Sequence, residues 1–167
     1  MVFWPVIVGV VIVDVITKMI AVETLQPRGL PHPVSGEWLR LTLVYNPGAA
    51  FGLHLGPYSR WIFMALTIGA LFILGRLYRH TRAGDTSRAL ALGLVCAGAL
   101  GNLIDRIYSS MGVVDFIDIG IGDMRWPTFN VADMAVSTGA FLLAWVLWGD
   151  ESAESSPEPV VEARQVE

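Results

Sequence analysis

Four long apolar runs in a chain of 167 residues decide most of what it can fold into. The first extends from about Val2 to Val22, with charge only at Asp14 and Lys18; the others cover roughly Trp61–Leu77, Ala89–Ile104 and Val131–Trp148. Each approaches the ~20 residues that a helix rising about 1.5 Å per residue needs to cross the hydrocarbon. The second and third are the shortest, which puts their polar ends at membrane depth. Composition agrees: 54% of residues are apolar and 16% charged, where an average soluble domain is roughly a quarter charged. A water-soluble globule of this size would lack the polar surface to stay dispersed. The first run is not read as a cleaved secretory signal, because it has no basic leading segment, carries charges at its centre and shows no small-residue cleavage site. The expected class is an all-α integral membrane protein with four transmembrane helices.

The net charge of −4 is unevenly spread. From Asp150 onward six acidic residues face only Arg164, a net −5, which leaves +1 for the rest of the chain. Residues 1–149 therefore read as a four-span membrane domain and residues 150–167 as an acidic, disordered tail, given its Ser, Pro and Glu content. No basic stripe suggests nucleic acid. Arg76, Arg79, Arg82 and Arg88 lie in the short connection between the second and third runs, and short-loop Lys/Arg excess marks the cytoplasmic side. Both termini are then expected in the cytoplasm, with segments 23–60 and 108–130 on the outer face.

The long outer segment carries its own signal. In Trp38–Tyr45, Leu39, Leu41, Leu43 and Tyr45 alternate with Arg40, Thr42 and Val44, the period of a strand with one apolar face. A Pro/Gly-rich loop precedes it and Asn46-Pro47-Gly48 forms a turn after it. A small extracytoplasmic β element after the first helix is expected. Gly93, Ala97 and Gly101 recur at steps of four in the third run, a face that admits close helix packing. Trp4, Tyr58, Trp61, Tyr78, Tyr108, Trp126 and Trp148, near span ends, read as interfacial anchors.

Charged groups inside spans are functional candidates by default. Asp14 and Lys18, four apart on one helix face, read as a structural ion pair that holds the first helix in the bundle. Asn102, Asp105 and Arg106 share a face at the outer end of the third span; the arginine can snorkel to headgroups or fork onto a carboxylate. Asp115 lies within the apolar run Val113–Ile117. Asn130 and Asp133 open the fourth span, where capping and helix-dipole complementarity suffice to explain them singly. Together, Asp105, Asp115 and Asp133 all fall near the outer interface. Two carboxylates meeting in a partly dry site share a proton, one serving as base on water while the other donates to a carbonyl. Spacing alone leaves three candidates for two positions.

Other chemistries fit poorly. His32, His54 and His80 are scattered and outside the spans, so neither a zinc set of the His-Glu-x-x-His kind nor a histidine-based triad is supported. Lys18, the sole lysine, has no serine neighbour in sequence for a Ser–Lys dyad. Cys96 alone excludes an intramolecular disulfide and a multi-cysteine metal site. No glycine-rich phosphate loop follows a strand. A small transporter or proton-relay subunit using Asp14, Asp105 and Asp133 is the alternative, but a relay needs polar groups spread through the membrane, and here most cluster at one side.

In order along the chain, Asp14-x-x-Thr17-Lys18, Asn46-Pro47-Gly48-Ala49-Ala50-Phe51-Gly52, Gly101-Asn102-x-x-Asp105-Arg106, Val113-Val114-Asp115-Phe116 and Phe129-Asn130-x-Ala132-Asp133 resemble the motifs of bacterial lipoprotein signal peptidases, signal peptidase II. The resemblance runs from the first span to the fourth. It implies an aspartic endopeptidase of the bacterial cytoplasmic membrane, needing no metal or other cofactor. Such an enzyme removes the signal peptide of prolipoproteins just before a diacylglyceryl-modified cysteine. It places the catalytic pair on Asp115 and Asp133. Asn102, Asp105, Arg106 and Asn130 would support the pair, Asn46 and Gly48 would lie over the substrate, and globomycin-type cyclic peptides would inhibit. Two positions depart from the family pattern: Val15 stands where glutamine is common, and Met111 stands where a glycine is common, with Gly112 one residue later.

Overall fold

The computed structural model describes residues 2–48 and 55–154. Four helices have the length and apolarity to cross a bilayer: α1 (Phe3–Thr24), α2 (Ser59–Arg79), α3 (Thr86–Tyr108) and α4 (Val131–Glu154). The four-span membrane class stands as read. Large apolar side chains such as Ile12, Ile16, Leu66, Phe72 and Phe141 point outward, as side chains facing lipid do. α3 is the helix on which the other three pack.

Small residues explain that packing. A methyl group added at Gly93 would lie 3.3 Å from the Phe3 carbonyl oxygen, so α1 crosses there in backbone contact. One at Gly139 of α4 would lie 2.8 Å from the carbonyl oxygen of Ala91, and one at Gly98 would overlap the carbonyl oxygen of Ala132. The step-of-four face thus serves α1 at Gly93, and Gly98, off that face, admits α4. Asp85 opens α3, its carboxylate accepting from Arg88 N at 3.0 Å. At the other end Arg60 reaches over from α2, donating through Nε to Arg106 O at 2.6 Å and through Nη2 to Ile107 O at 2.9 Å. These carbonyls would otherwise lack partners at a helix end.

The sheet is larger than the single β element expected. β1 (His32–Ser35), β2 (Leu39–Asn46), β3 (Val113–Ile121) and β4 (Met124–Arg125) form an antiparallel sheet in that order. β3 comes from the connection between α3 and α4 and escapes a period-two search because Val113 to Phe116 are all buried. A strand covered on both faces reads as a continuous apolar run. Between β2 and β3 the register shifts by one: Leu41 faces Ile117, but Val44 faces Asp115, so Thr42 and Leu43 together oppose Phe116. This β-bulge turns part of β2 relative to its neighbour.

Ala21 of α1 and Leu25 just after it pack with Leu43, Val114 and Phe116, which fastens the sheet to one end of the bundle. A second cluster of Phe3, Ile7, Leu92, Cys96 and Ala97 fills the other end. There Tyr78, expected only as an anchor, stacks on Phe3 with ring centres 3.6 Å apart. The other six aromatic anchors are exposed. α4 continues to Glu154, so residues 150–154 of the expected disordered tail are helical. The rest of that tail, and Ala49–Gly52 and His54, lie outside the described residues.

Candidate active site

The site is built where β3 meets the start of α4. Phe129 forms an isolated antiparallel bridge with Ile117, donating to Ile117 O at 3.0 Å and accepting from Ile117 N at 2.8 Å. That bridge sets the next residue, Asn130, beside Asp115 two positions before Ile117. Val114 and Phe116 enter the core under the sheet, while Asp115 between them turns to the opposite side, as alternation in a strand requires.

Asn130 then connects the two aspartates. Its side-chain Nδ2 donates to Asp115 Oδ1 at 2.7 Å. Its Oδ1 accepts from Asp133 N at 2.9 Å and its backbone N–H donates to Asp133 Oδ2 at 3.3 Å, a reciprocal capping pair. Capping and site-building are thus the same contacts. Asn46, at the end of β2, donates to Asp115 Oδ2 at 3.2 Å, and Asn102 donates to Asp133 Oδ1 at 2.7 Å. Three amides therefore hold two carboxylates.

Asp115 and Asp133 line one cavity of about 550 Å³, together with Asn46, Asn102, Arg106, Ile119 and the Trp126–Phe129 segment. Asp115 is almost wholly buried. Burial pushes its carboxyl up to about 7, with the neighbouring charge of Asp133 adding to the rise and the Asn46 and Asn130 hydrogen bonds opposing it. A carboxyl that exchanges its proton near neutrality is suited to acid–base work.

Asp105, the third candidate, belongs elsewhere. Its Oδ2 lies 2.8 Å from Lys18 Nζ and accepts from Val114 N at 3.1 Å. Lys18 also pairs with Asp14 Oδ2 at 2.8 Å, so the expected pair on α1 is a triad that includes α3. Asp14 Oδ1 in turn accepts from Ala132 N at 2.8 Å, tying α1 to the first turn of α4. Gly101 leaves room for this, since a methyl group there would come within 2.5 Å of Asp14 Oδ2.

Arg106 neither snorkels nor forks onto a carboxylate. Its Nη2 donates to Gly48 O at 2.9 Å and its Nη1 to Asn102 O at 3.1 Å, with Phe63 5.9 Å from the guanidinium carbon. It thus anchors the turn after Asn46 to α3. A further cluster was not anticipated. Arg125 Nε donates to Asp118 Oδ1 at 2.8 Å and its Nη1 to Glu37 O at 2.9 Å, while Thr42 donates to Asp118 Oδ2 at 3.1 Å. This clamp crosses β2, β3 and β4 and holds the strand that precedes Trp126. Asp118, an aspartate inside the apolar stretch of β3, was its one signal in the sequence.

A four-helix span with a sheet at one end and two carboxylates in a cavity beside it is the build of an integral membrane enzyme. The chain matches the family described as signal peptidase (SPase) II over residues 6–149. A lipoprotein signal peptidase of Pelotomaculum thermopropionicum is 43% identical over 151 residues, 89% of this chain and 93% of that protein. One of Cupriavidus necator is 43% identical over 138 residues, 80% and 75% of the two chains. A solved bacterial membrane enzyme, determined by the in meso method at 2.3 Å, superimposes with a TM-score of 0.80 at 35% identity over 92% of each chain. A second, at 1.9 Å, gives 0.75 at 35% identity over 87% of this chain and 91% of its own. The chain belongs to the signal peptidase II family and is a multi-pass membrane peptidase.

Proposed function

We propose that this peptidase removes the signal peptide of prolipoproteins at the bond before a diacylglyceryl-modified cysteine, with Asp115 and Asp133 as its acid–base pair. The observation that carries this reading is the shared cavity: both carboxylates line it and both are held by Asn130. Asp115, pushed toward its protonated form by burial, carries the shared proton and donates it to the scissile carbonyl oxygen. Asp133 takes a proton from a water molecule as that water attacks the carbonyl carbon. Collapse of the tetrahedral gem-diol breaks the C–N bond: the proton on Asp133 passes to the leaving amine, and one hydroxyl returns a proton to Asp115 as the product carboxyl group forms. The pair then again holds one proton. No metal enters these steps. Asn46, Asn102 and Asn130 orient the carboxylates, Arg106 holds the turn at Gly48 that follows Asn46, and Asp105 with Asp14 and Lys18 braces α1 against α3.

The basic cluster Arg76, Arg79, Arg82 and Arg88 lies around the α2–α3 connection, at the end of the bundle away from the sheet. By the short-loop rule that end is cytoplasmic, with both termini, and the cavity opens near the outer face of the bacterial cytoplasmic membrane. A lipid-anchored substrate brings its scissile bond to that depth from the bilayer. Globomycin-type cyclic peptides are expected to occupy the cavity.

The test is cleavage of a diacylglyceryl-modified prolipoprotein by purified wild-type protein and by Asp115→Asn, in detergent, with and without chelator. Chelator-insensitive cleavage by the wild type alone supports the reading. Absence of cleavage by well-folded wild type would discard it in favour of ion relay.

A further inference from the structure

Past the two aspartates the cavity continues along α4, where Met134, Val136, Ser137 and Thr138 line it. Ser137 follows Asp133 by four residues, so it lies on the same helix face about 6 Å further along, toward the interior of the span. Four threonine hydroxyls elsewhere in and beside these helices are returned to their own backbone. Thr17, Thr24, Thr67 and Thr81 donate to carbonyl oxygens four residues earlier at 2.8, 2.8, 2.7 and 3.1 Å. That bond satisfies a polar group where water is absent. Ser137 makes no such bond to Asp133 O and has no hydrogen-bond partner among the described residues. Met134 and Val136 line the same stretch of wall. The cavity thus offers carboxylates and amides at one level and, a helical turn deeper, the hydroxyls of Ser137 and Thr138, of which Ser137 shares the helix face of Asp133.

The complementary ligand is one whose polar part ends in hydrogen-bond acceptors before hydrocarbon begins. We infer that Ser137 donates to an ester carbonyl of the diacylglyceryl group carried by the substrate cysteine. This rests on the lipoprotein reading above and adds a recognition residue to it. An acylglycerol ester marks the boundary between polar glycerol and apolar chain, and the cavity wall crosses the same boundary between Asp133 and Ser137. A signal-peptide amide carbonyl is the other acceptor with this chemistry, and the two are separable by replacing ester with ether.

The experiment measures KM for two synthetic prolipoprotein substrates, one with ester-linked and one with ether-linked chains, using wild type, Ser137→Ala and Ser137→Thr. With wild type, the ether substrate should show a KM about three- to tenfold higher, the range for one neutral hydrogen bond. Ser137→Ala should raise KM for the ester substrate by a similar factor and leave the ether substrate unaffected, while Ser137→Thr, which keeps the hydroxyl, should restore discrimination. Thermal unfolding of each variant separates loss of binding from loss of fold. An equal rise for both substrates would assign the hydroxyl to a peptide carbonyl and overturn the inference, as would no rise at all. Failure of the wild type to cleave either substrate would overturn the lipoprotein reading itself.

Discussion

Lys18 and Asn102, 84 residues apart in sequence, meet through a hydrogen bond of 3.1 Å from the ammonium to the side-chain oxygen of the amide. Asn130 Nδ2 donates to that same oxygen at 3.1 Å. With its oxygen taken by two donors, Asn102 has only its NH2 to turn toward Asp133, and there it donates at 2.7 Å. The charge buried in α1 thus orients an amide that touches the candidate catalytic pair.

Lys18→Met should therefore impair both folding and turnover. Asp14 and Asp105 would be left as carboxylates without their shared cation, and breaking a buried pair from one side destabilises by roughly 3–5 kcal/mol. Thermal unfolding in detergent measures the loss. A change within about 0.5 kcal/mol would show that the triad is not holding α1 in place.

Asp115→Asn and Asp133→Asn should each lower kcat by about a hundredfold to ten-thousandfold, the range for losing a positioned acid or base. Cleavage assays on folded protein provide the measurement. Asp105→Asn should be milder in turnover, because Asp105 faces Lys18 and Val114 N rather than the cavity. Substantial cleavage by either dyad variant would require a different pair.

The pH dependence follows from Asp115. Native Asp115 keeps its proton up to about 7, chiefly through burial and secondarily through Asp133, whereas an unfolded aspartate loses it near 3.8. Its contribution to stability is complete below the unfolded value and is lost as pH rises through about 7. Cleavage should fall on the same alkaline limb, with an apparent midpoint belonging to the pair. Asp133→Asn removes one cause of the rise and should move the Asp115 midpoint downward. Infrared or NMR titration of the two proteins tests this, and an unmoved midpoint would mean that the carboxylates do not interact.

Gly112→Ala should damage the site without touching a polar group. Gly112 adopts φ +107, and a methyl group on it would collide with the Asn46 carbonyl. Any side chain there is strained and pushes β2 away from the start of β3, which separates Asn46 from Asp115. Loss of at least about 1 kcal/mol of stability is expected, together with reduced turnover. Wild-type values for both would show that the β2–β3 junction gives way without disturbing Asp115.

Much of this arrangement was readable along the chain. Helix length and apolarity specify α1 to α4, and the Asp14–Lys18 spacing specifies a contact within one helix. Alternation marks β2. β3 was hidden because it is covered on both faces, which erases the alternation that identifies a half-buried strand. Choosing between Asp105 and its two rivals needed the path of α1: Lys18 draws Asp105 away, and no spacing within α3 encodes that. The partner of Arg106 was not legible for a related reason. That partner is a backbone carbonyl at Gly48, and carbonyls leave no trace in a residue pattern. Gly112 shows the converse case, where a one-residue offset from the family pattern marks the glycine that the strand junction requires.

The Ile117–Phe129 bridge has a consequence for how the enzyme would respond to its surroundings. Spanning helices adapt to bilayers of different thickness by tilting. Here the residues that position Asp115 and Asn130 hang on a sheet ladder at one end of the bundle, and Asp133 is held within one turn of it. Changes in lipid chain length should therefore leave the spacing of the two carboxylates intact while shifting the depth at which a membrane-anchored substrate meets them. Hydrophobic mismatch would then regulate access to the candidate pair and spare the pair itself.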